Sequence, residues 1–124
     1  AYTMAKYGMS FCVLGMSEEY REEGVAVNAL WPRTAISTDA IDLIGSAEMR
    51  KQSRTPEIMA DAAYLILTKP SRSFTGNFVV DETILRNELK ITNFDKYAVV
   101  PGTIFFTCFY FKYLNIFFFK AIRY

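Results

Sequence analysis

The sequence predicts an α/β fold: a partial Rossmann-like arrangement of parallel strands with covering helices, followed by an aromatic-rich irregular tail. Two apolar runs, at residues 25–30 and 77–81, lack the alternation of a half-exposed strand, which indicates strands buried on both faces. A helical segment precedes each run. The order helix–strand–helix–strand is typical of a parallel sheet whose crossovers are helices.

Composition limits the size of the fold and the chemistry available to it. The 124 residues, 14.2 kDa in all, leave room for one domain with a small core, which we place at residues 1–102, before a tail at 103–124. A net charge of +1 gives no electrostatic case for nucleic acid. The absence of His excludes His-based metal sites and Ser-His-Asp or Cys-His triads within the chain. Two Cys are too few for a four-thiolate zinc site, so we predict no metal.

The first helix is predicted at Tyr2–Glu22, with Cys12 buried on it. Gly24 follows in the left-handed position that commonly ends a helix. The first strand is predicted at Val25–Leu30, and Trp31-Pro32 ends it because proline cannot donate to a sheet.

The remaining elements are predicted from helix-start signals and apolar runs. Residues 34–51 indicate a loop with one short helix. A hydroxyl, a proline and an acid at residues 55–57 mark a helix start, and the helix runs to about Thr68. After the second strand we predict one short helix at 84–90 and irregular structure at 93–102.

The tail has a different composition from the rest of the chain, since seven of the 11 Phe lie after residue 102. It shows neither a helical period nor alternation. One interpretation is a membrane span at Ile104–Phe119, which is shorter than the roughly 20 residues a helix needs and carries Lys112 near its middle. A second is a buried or loosely packed hydrophobic tail. A third is translated non-coding sequence. The tail is dominated by Phe, Tyr, Lys, Ile and Asn, all of which have A/T-rich codons, and this favours the third interpretation.

One pair of side chains could perform acid–base chemistry. Tyr2 and Lys6 are four residues apart on a predicted helix, which places them on one face. A nearby ammonium favours the phenolate form of tyrosine, so the pair could exchange a proton with a substrate hydroxyl or carbonyl. Many helices contain such a pair by chance, and a solvated pair is the alternative.

Three motifs in a fixed order make the Tyr2–Lys6 pair a stronger candidate for catalysis. Tyr2 and Lys6 are followed by Val27-Asn28 with Pro32, and then by Thr75-Gly76 with Asp81. This succession, over residues 1 to about 100, resembles the C-terminal half of the short-chain dehydrogenase/reductase family. The resemblance implies a nicotinamide-dependent oxidoreductase acting on a hydroxyl or carbonyl group of a steroid- or lipid-like substrate.

The resemblance also implies roles for individual residues. Tyr2 would be the catalytic acid/base, and Lys6 would assist its ionisation and hydrogen-bond the nicotinamide ribose. Residues 39–52 would cover the substrate, and the Tyr2–Glu22 helix would pack on its counterpart in a second subunit. The segment after the first strand would meet the nicotinamide carboxamide, through Pro32, Thr34, Ala35, Ile36 and Ser37.

Departures from the family pattern leave the activity of this chain open. Arg33 stands where the family usually has Gly, and we expect its side chain to be solvated, with an approach to a cofactor phosphate as the alternative. The chain looks cut at its front end, since neither the Gly-rich pyrophosphate loop nor the family's catalytic Ser occurs before Tyr2. We therefore expect weak NAD(P) binding and little or no activity from this chain alone. The alternatives are a non-catalytic oligomerisation or interaction module and a partial gene model.

The location in the cell is an expectation from the resemblance alone, which implies a peroxisome or a mitochondrion. Residues 121–124 do not form a Ser-Lys-Leu type address, and we find no targeting signal in the chain. The sequence does not distinguish NAD from NADP.

Overall fold

A computed structural model of the chain describes residues 1–106, which form helices around a small parallel sheet. The elements, in chain order, are α1 (Tyr2–Glu19), β1 (Ala29–Trp31), α2 (Asp39–Ile44), α3 (Ala47–Lys51), α4 (Glu57–Leu67), β2 (Phe78–Val80), α5 (Asp81–Leu89) and a 3-10 turn (Asp95–Tyr97). Cys108 and most of the predicted tail lie outside the described residues, so the three interpretations of the tail stay predictions.

The two strands pair in parallel, which confirms the predicted α/β arrangement. Ala29 pairs with Phe78, Leu30 with Val79 and Trp31 with Val80. The ladder is shorter than the apolar run at 25–30 predicted, and it extends one residue further, to Trp31. Before Ala29 the two segments are joined through the Thr75 side chain, whose hydroxyl accepts from the Val27 amide at 3.0 Å.

The core lies where α4 and α5 pack against each other and against the strands. Six buried side chains form it, and Leu30 and Val79 of the paired strands pack against them. Two of the six, Ile58 and Ala62, are four residues apart on α4, as expected for the inner face of a helix. The six are Ile58, Ala62, Ile84, Leu85, Phe94 and Tyr97.

Helix α1 differs from its prediction in two ways. It ends at Glu19 rather than Glu22, and a turn leads to Gly24, whose φ of +72° confirms the predicted left-handed position. Cys12 is exposed, so its predicted burial is wrong. The buried residues of α1 are Ser10 and Ser17, and Cys12 is two residues from Ser10, about 200° around the helix.

The segment between the strands contains two short helices rather than one. Gly45 ends α2, and the hydroxyl of Ser46 then caps α3 by accepting from the Met49 amide at 3.2 Å. The next helix begins at Glu57, one residue later than the sequence signal at 55–57 indicated.

Two further differences follow β2. Helix α5 starts directly at Asp81, not at residue 84, and a 3-10 turn interrupts the segment predicted to be irregular. Within residues 1–106, no helix is both long and apolar enough to cross a membrane. The same range holds no cluster of three or more potential metal ligands among His, Cys, Asp and Glu.

Candidate active site

Tyr2 and Lys6 lie on the same face of the first turns of α1, as their spacing predicts. The Lys6 ammonium nitrogen is 5.5 Å from the centroid of the Tyr2 ring. Tyr2 is 70% exposed, so its hydroxyl is open to a reacting molecule. The arrangement places the Lys6 ammonium over the ring that carries the Tyr2 hydroxyl.

Both side chains line a cavity of about 300 Å³ between α1 and β1. This volume is at the lower end of the range for small-molecule sites. The Tyr2 hydroxyl and the Lys6 ammonium bring polar groups to a lining that is otherwise largely apolar. The remaining lining residues are Met9, Ser10, Val13, Asn28, Ala29, Leu30, Trp31 and Pro32.

Hydrogen bonds between the strand entrances position β1 next to β2. The Asn28 side-chain oxygen accepts from the backbone and side-chain amides of Asn77 at 3.0 and 2.9 Å. Its side-chain nitrogen donates to the Phe74 carbonyl at 2.9 Å. This explains physically why an asparagine precedes β1 in the motif used above.

The Thr75-Gly76 motif lets α1 approach the sheet. Gly76 has a φ of +73°, and a Cβ built there would meet the Ser17 hydroxyl at 3.1 Å. A residue without a side chain is therefore needed both for the backbone turn and for the close approach of α1. The contact fixes the helix that carries Tyr2 and Lys6.

The segment predicted to meet the cofactor follows Pro32 and is pinned to the rest of the fold. The Arg33 amide donates to the Asp81 carboxylate at 3.0 Å. The Ala35 amide donates to the Phe106 carbonyl at 2.9 Å, and the Ser37 amide donates to the Arg54 carbonyl at 2.7 Å. We call residues 33–37 the β1 loop.

Sequence reasoning missed two charged residues beneath the β1 loop, Arg54 and Glu82. Arg54 is 5% exposed and Glu82 is 9% exposed, and Nη2 of Arg54 lies 2.5 Å from Oε1 of Glu82. The Arg33 side chain is exposed to solvent, as expected, and its Nε also lies 3.4 Å from Oε2 of Glu82. The two acids that directly follow β2, Asp81 and Glu82, were an available signal for Glu82, but nothing in the sequence marked Arg54 as its partner.

Burial perturbs the ionisable groups of this cluster. It lowers the pKa of the Arg54 guanidinium, which the charge of Glu82 opposes. It raises the pKa of the Asp81 carboxyl, which hydrogen bonds from the Glu82 and Arg33 amides oppose. Among the described residues, Nε and Nη1 of Arg54 and Oδ2 of Asp81 have no hydrogen-bond partner.

The structure thus brings some of the predicted site residues together. Tyr2, Lys6 and Pro32 line one cavity, and the chain continues from there into the β1 loop. Thr34 and Ala35 are buried in that loop, and Ile36 and Ser37 are half-buried. The predicted substrate cover, residues 39–52, forms α2 and α3. The catalytic and cofactor roles of these residues stay predictions.

Comparison with known proteins gives strong similarity over most of the chain, although no protein-family model matches it. Hydroxysteroid dehydrogenase-like protein 2 of Xenopus tropicalis is 64% identical over 102 residues, and that of Homo sapiens is 60% identical. Each match covers 82% of this chain and 24% of the relative.

Two solved structures share the fold. A protein of Xanthomonas campestris assigned as a dehydrogenase has a TM-score of 0.78 and 45% identity, covering 87% of this chain and 39% of its own. A short-chain dehydrogenase homologue of Mycobacterium thermoresistibile has a TM-score of 0.73 and 44% identity, covering 85% and 37%. The resemblance to short-chain dehydrogenases/reductases is confirmed.

The match is to part of such a protein. The chain spans about a quarter of the length of the curated relatives named above. The described residues contain the two paired strands, their covering helices and the Tyr2–Lys6 cavity. The activity of a complete relative is therefore a proposal for this chain.

Proposed function

We propose that the chain supplies the proton-transfer part of a nicotinamide-dependent oxidoreductase that acts on a hydroxyl or carbonyl group. The observation that carries this proposal is that Tyr2 and Lys6 lie together on one wall of a cavity whose other wall is β1. The names and folds of the similar dehydrogenases support it.

The chain's own residues divide the work as follows. The Tyr2 hydroxyl gives its proton to a substrate carbonyl oxygen during reduction and takes a proton from a substrate hydroxyl during oxidation. The Lys6 ammonium stabilises the phenolate left behind and presents a donor to the cofactor's ribose. NAD(P), when bound, supplies or accepts the hydride.

The residues present fit the nicotinamide end of that cofactor. Lys6, Pro32 and the β1 loop residues from Thr34 to Ser37 would hold it, because the cavity carries an ammonium on one wall and reaches Pro32, directly before the loop. The 124 residues contain no Gly-rich strand–turn–helix for the pyrophosphate. Weak cofactor binding by this chain alone remains our expectation.

An apolar small molecule is the substrate class that the cavity favours. Met9, Val13, Leu30 and Trp31 give the lining an apolar surface next to the Tyr2 hydroxyl. This pattern suits a steroid- or lipid-like compound with one oxygen function, since a few polar groups then orient an apolar body. A peroxisomal or mitochondrial location is proposed from the resemblance alone.

Association through α1 is part of the proposal. Met4 and Phe11 are exposed on α1, and a Cβ added at Gly8 or Gly15 would meet nothing within 4 Å. An exposed apolar helix face with small residues allows a second helix to approach closely. A second copy of the chain is the proposed partner, and analytical ultracentrifugation tests it, because a monomer at all concentrations contradicts it.

The proton-transfer role is tested in a hybrid. The segment that precedes the matched region in the Xenopus tropicalis relative is joined in frame to Ala1, to build the longer domain that the proposal requires. Turnover of steroid and fatty ketones with NADH and with NADPH is measured spectrophotometrically. Tyr2→Phe is expected to lower turnover by about 10²–10⁴-fold, the usual contribution of a positioned acid–base group.

Matched variants keep the test specific. Tyr64 is exposed on α4, away from the cavity, so Tyr64→Phe should leave turnover unchanged. Lys6→Met, as a separate single variant, should also lower turnover. A hybrid whose turnover survives Tyr2→Phe contradicts the proposal. So does a folded hybrid that turns over no compound that the intact relative accepts.

A further inference from the structure

A charged cluster at the β1 loop has no part in the proton transfer proposed above. Its members come from distant parts of the sequence: the half-exposed Arg33 lies two residues after β1, and the buried Arg54 and Glu82 lie before α4 and in the first turn of α5. The Arg54–Glu82 pair is costly to bury, because both charges lose hydration. Its contacts with the β1 loop indicate that it holds the loop in place.

Arg54 holds the far end of the β1 loop through its backbone. Its amide donates to the Ala35 carbonyl at 2.9 Å, and its carbonyl accepts from the Ser37 amide at 2.7 Å. These two bonds form a parallel bridge between Ile36 and Arg54, and an antiparallel bridge joins Arg54 to Ala98. The backbone of Arg54 therefore lies between the loop and the core.

The side chain of Arg54 is fixed in turn by aromatic rings and by Glu82. Its guanidinium carbon is 5.1 Å from the centroid of the Phe94 ring and 4.4 Å from that of Phe105. Nη2 lies 2.5 Å from Oε1 of Glu82. A guanidinium held by rings and a carboxylate has little rotational freedom, so it orients the backbone that carries it.

Glu82 reaches both ends of the β1 loop. One of its oxygens meets Arg54, which pins Ser37, and the other lies 3.4 Å from Nε of Arg33, which starts the loop. Its own backbone amide donates to Asp81 at 2.7 Å, and Asp81 also accepts from the Arg33 amide. A single carboxylate thus connects the two anchor points of the loop with the start of α5.

We propose that Glu82 and Arg54 form a positioning pair that sets the conformation of the β1 loop. The proposal rests on the proposed function in one respect, since that function makes the β1 loop the surface that meets nicotinamide. Neither residue of the pair lines the cavity, and the pair acts on the site through the loop backbone.

The test is amide hydrogen exchange on the full 124-residue chain, read by NMR at Arg33, Ala35 and Ser37. Glu82→Gln keeps the shape and removes the charge. It is expected to speed exchange at these amides by about tenfold or more, as for the loss of a charged hydrogen bond, while the helix amides of α4 keep their protection. Unchanged loop exchange overturns the proposal.

A second variant separates positioning from general stability. Replacing a buried ion pair by apolar side chains is often neutral or stabilising, so Arg54→Met with Glu82→Leu should fold even where Glu82→Gln does not. A positioning pair predicts fast exchange at the three loop amides in this stable double variant. Wild-type loop protection in it, or failure of both variants to fold, overturns the proposal.

The control uses an ion pair on the same helix. Glu88 of α5 meets Lys69 at 2.7 Å near the surface, and Glu88→Gln should leave the loop amides unchanged. A loop response to Glu88→Gln equal to that of Glu82→Gln overturns the proposal. None of these readouts needs turnover, so a failed proposed function and a failed positioning pair give different results.

Discussion

Replacing Asp81 by alanine is expected to destabilise the folded chain by about 2–4 kcal/mol, because a buried and a part-buried amide lose their acceptor. Asp81 is fully buried, and its Oδ1 accepts from the Arg33 amide at 3.0 Å and from the Glu82 amide at 2.7 Å. Each stranded donor costs about 1–3 kcal/mol, and relief of the buried charge offsets part of the total.

Asp81→Asn separates the acceptor from the charge. The asparagine oxygen can still accept from both amides, so stability at pH 7 should stay within about 1 kcal/mol of the wild type. Urea unfolding of the two variants and the wild type measures these differences, provided the slope m is unchanged. If Asp81→Asn is as damaging as Asp81→Ala, the charge rather than the acceptor matters, and the reasoning is refuted.

The pH dependence of the same pair of proteins gives the sign of the charge effect. Burial raises the pKa of Asp81 above the ordinary value of 3.8, so the folded state holds the proton more tightly than the unfolded state. The wild type should therefore lose stability relative to Asp81→Asn as pH rises from 3.8 through the higher folded pKa, and the difference should be constant above it. A difference that moves the opposite way contradicts the assignment.

Two further variants test other contacts. Tyr97→Phe removes the hydrogen bond from the Tyr97 hydroxyl to Asp61 at 2.6 Å and should cost about 1–2 kcal/mol in urea unfolding. Burial, as the larger cause, and the hydrogen bond to Asp61, as the smaller, raise the pKa of the Tyr97 hydroxyl above its ordinary value of 10.0. The free energy of unfolding should therefore fall as pH rises above 10.0, and Tyr97→Phe should not show this fall. Gly76→Ala should destabilise by more than about 1 kcal/mol, since φ is +73° and the new Cβ would press on Ser17, whereas an unchanged thermal midpoint would contradict that contact.

The strands and the Tyr2–Lys6 pair could be predicted because their signals are local. An unalternating apolar run identifies a strand buried on both faces, and a spacing of four places two side chains on one helix face. The burial of Cys12 could not be predicted in the same way. Apolar residues occur all around α1, so the sequence does not mark which face meets the sheet, and the structure buries Ser10 and Ser17 instead.

The Arg54–Glu82 pair could not be predicted because no sequence period relates residues 28 positions apart. A charged residue is by default assigned to the surface, and only the folded chain shows that the two charges meet beneath the β1 loop. Asp81 was recognised as part of a motif, but its work, accepting from the Arg33 amide, depends on the parallel pairing of β1 with β2.

The face that α1 turns towards the sheet has a consequence for the proposed chemistry. Its buried residues are two serines, and Ser17 satisfies its hydroxyl within the helix by donating to the Leu14 carbonyl at 3.0 Å. Small polar residues permit the close approach of Gly76, yet they bury little apolar surface, which is the main source of stability for a packed helix. The helix that carries Tyr2 and Lys6 is therefore anchored less strongly than α4, whose inner face is Ile58 and Ala62. A protein surface that covers the outer face of α1 would supply the missing apolar burial, and would thereby make the order of the Tyr2–Lys6 pair depend on assembly.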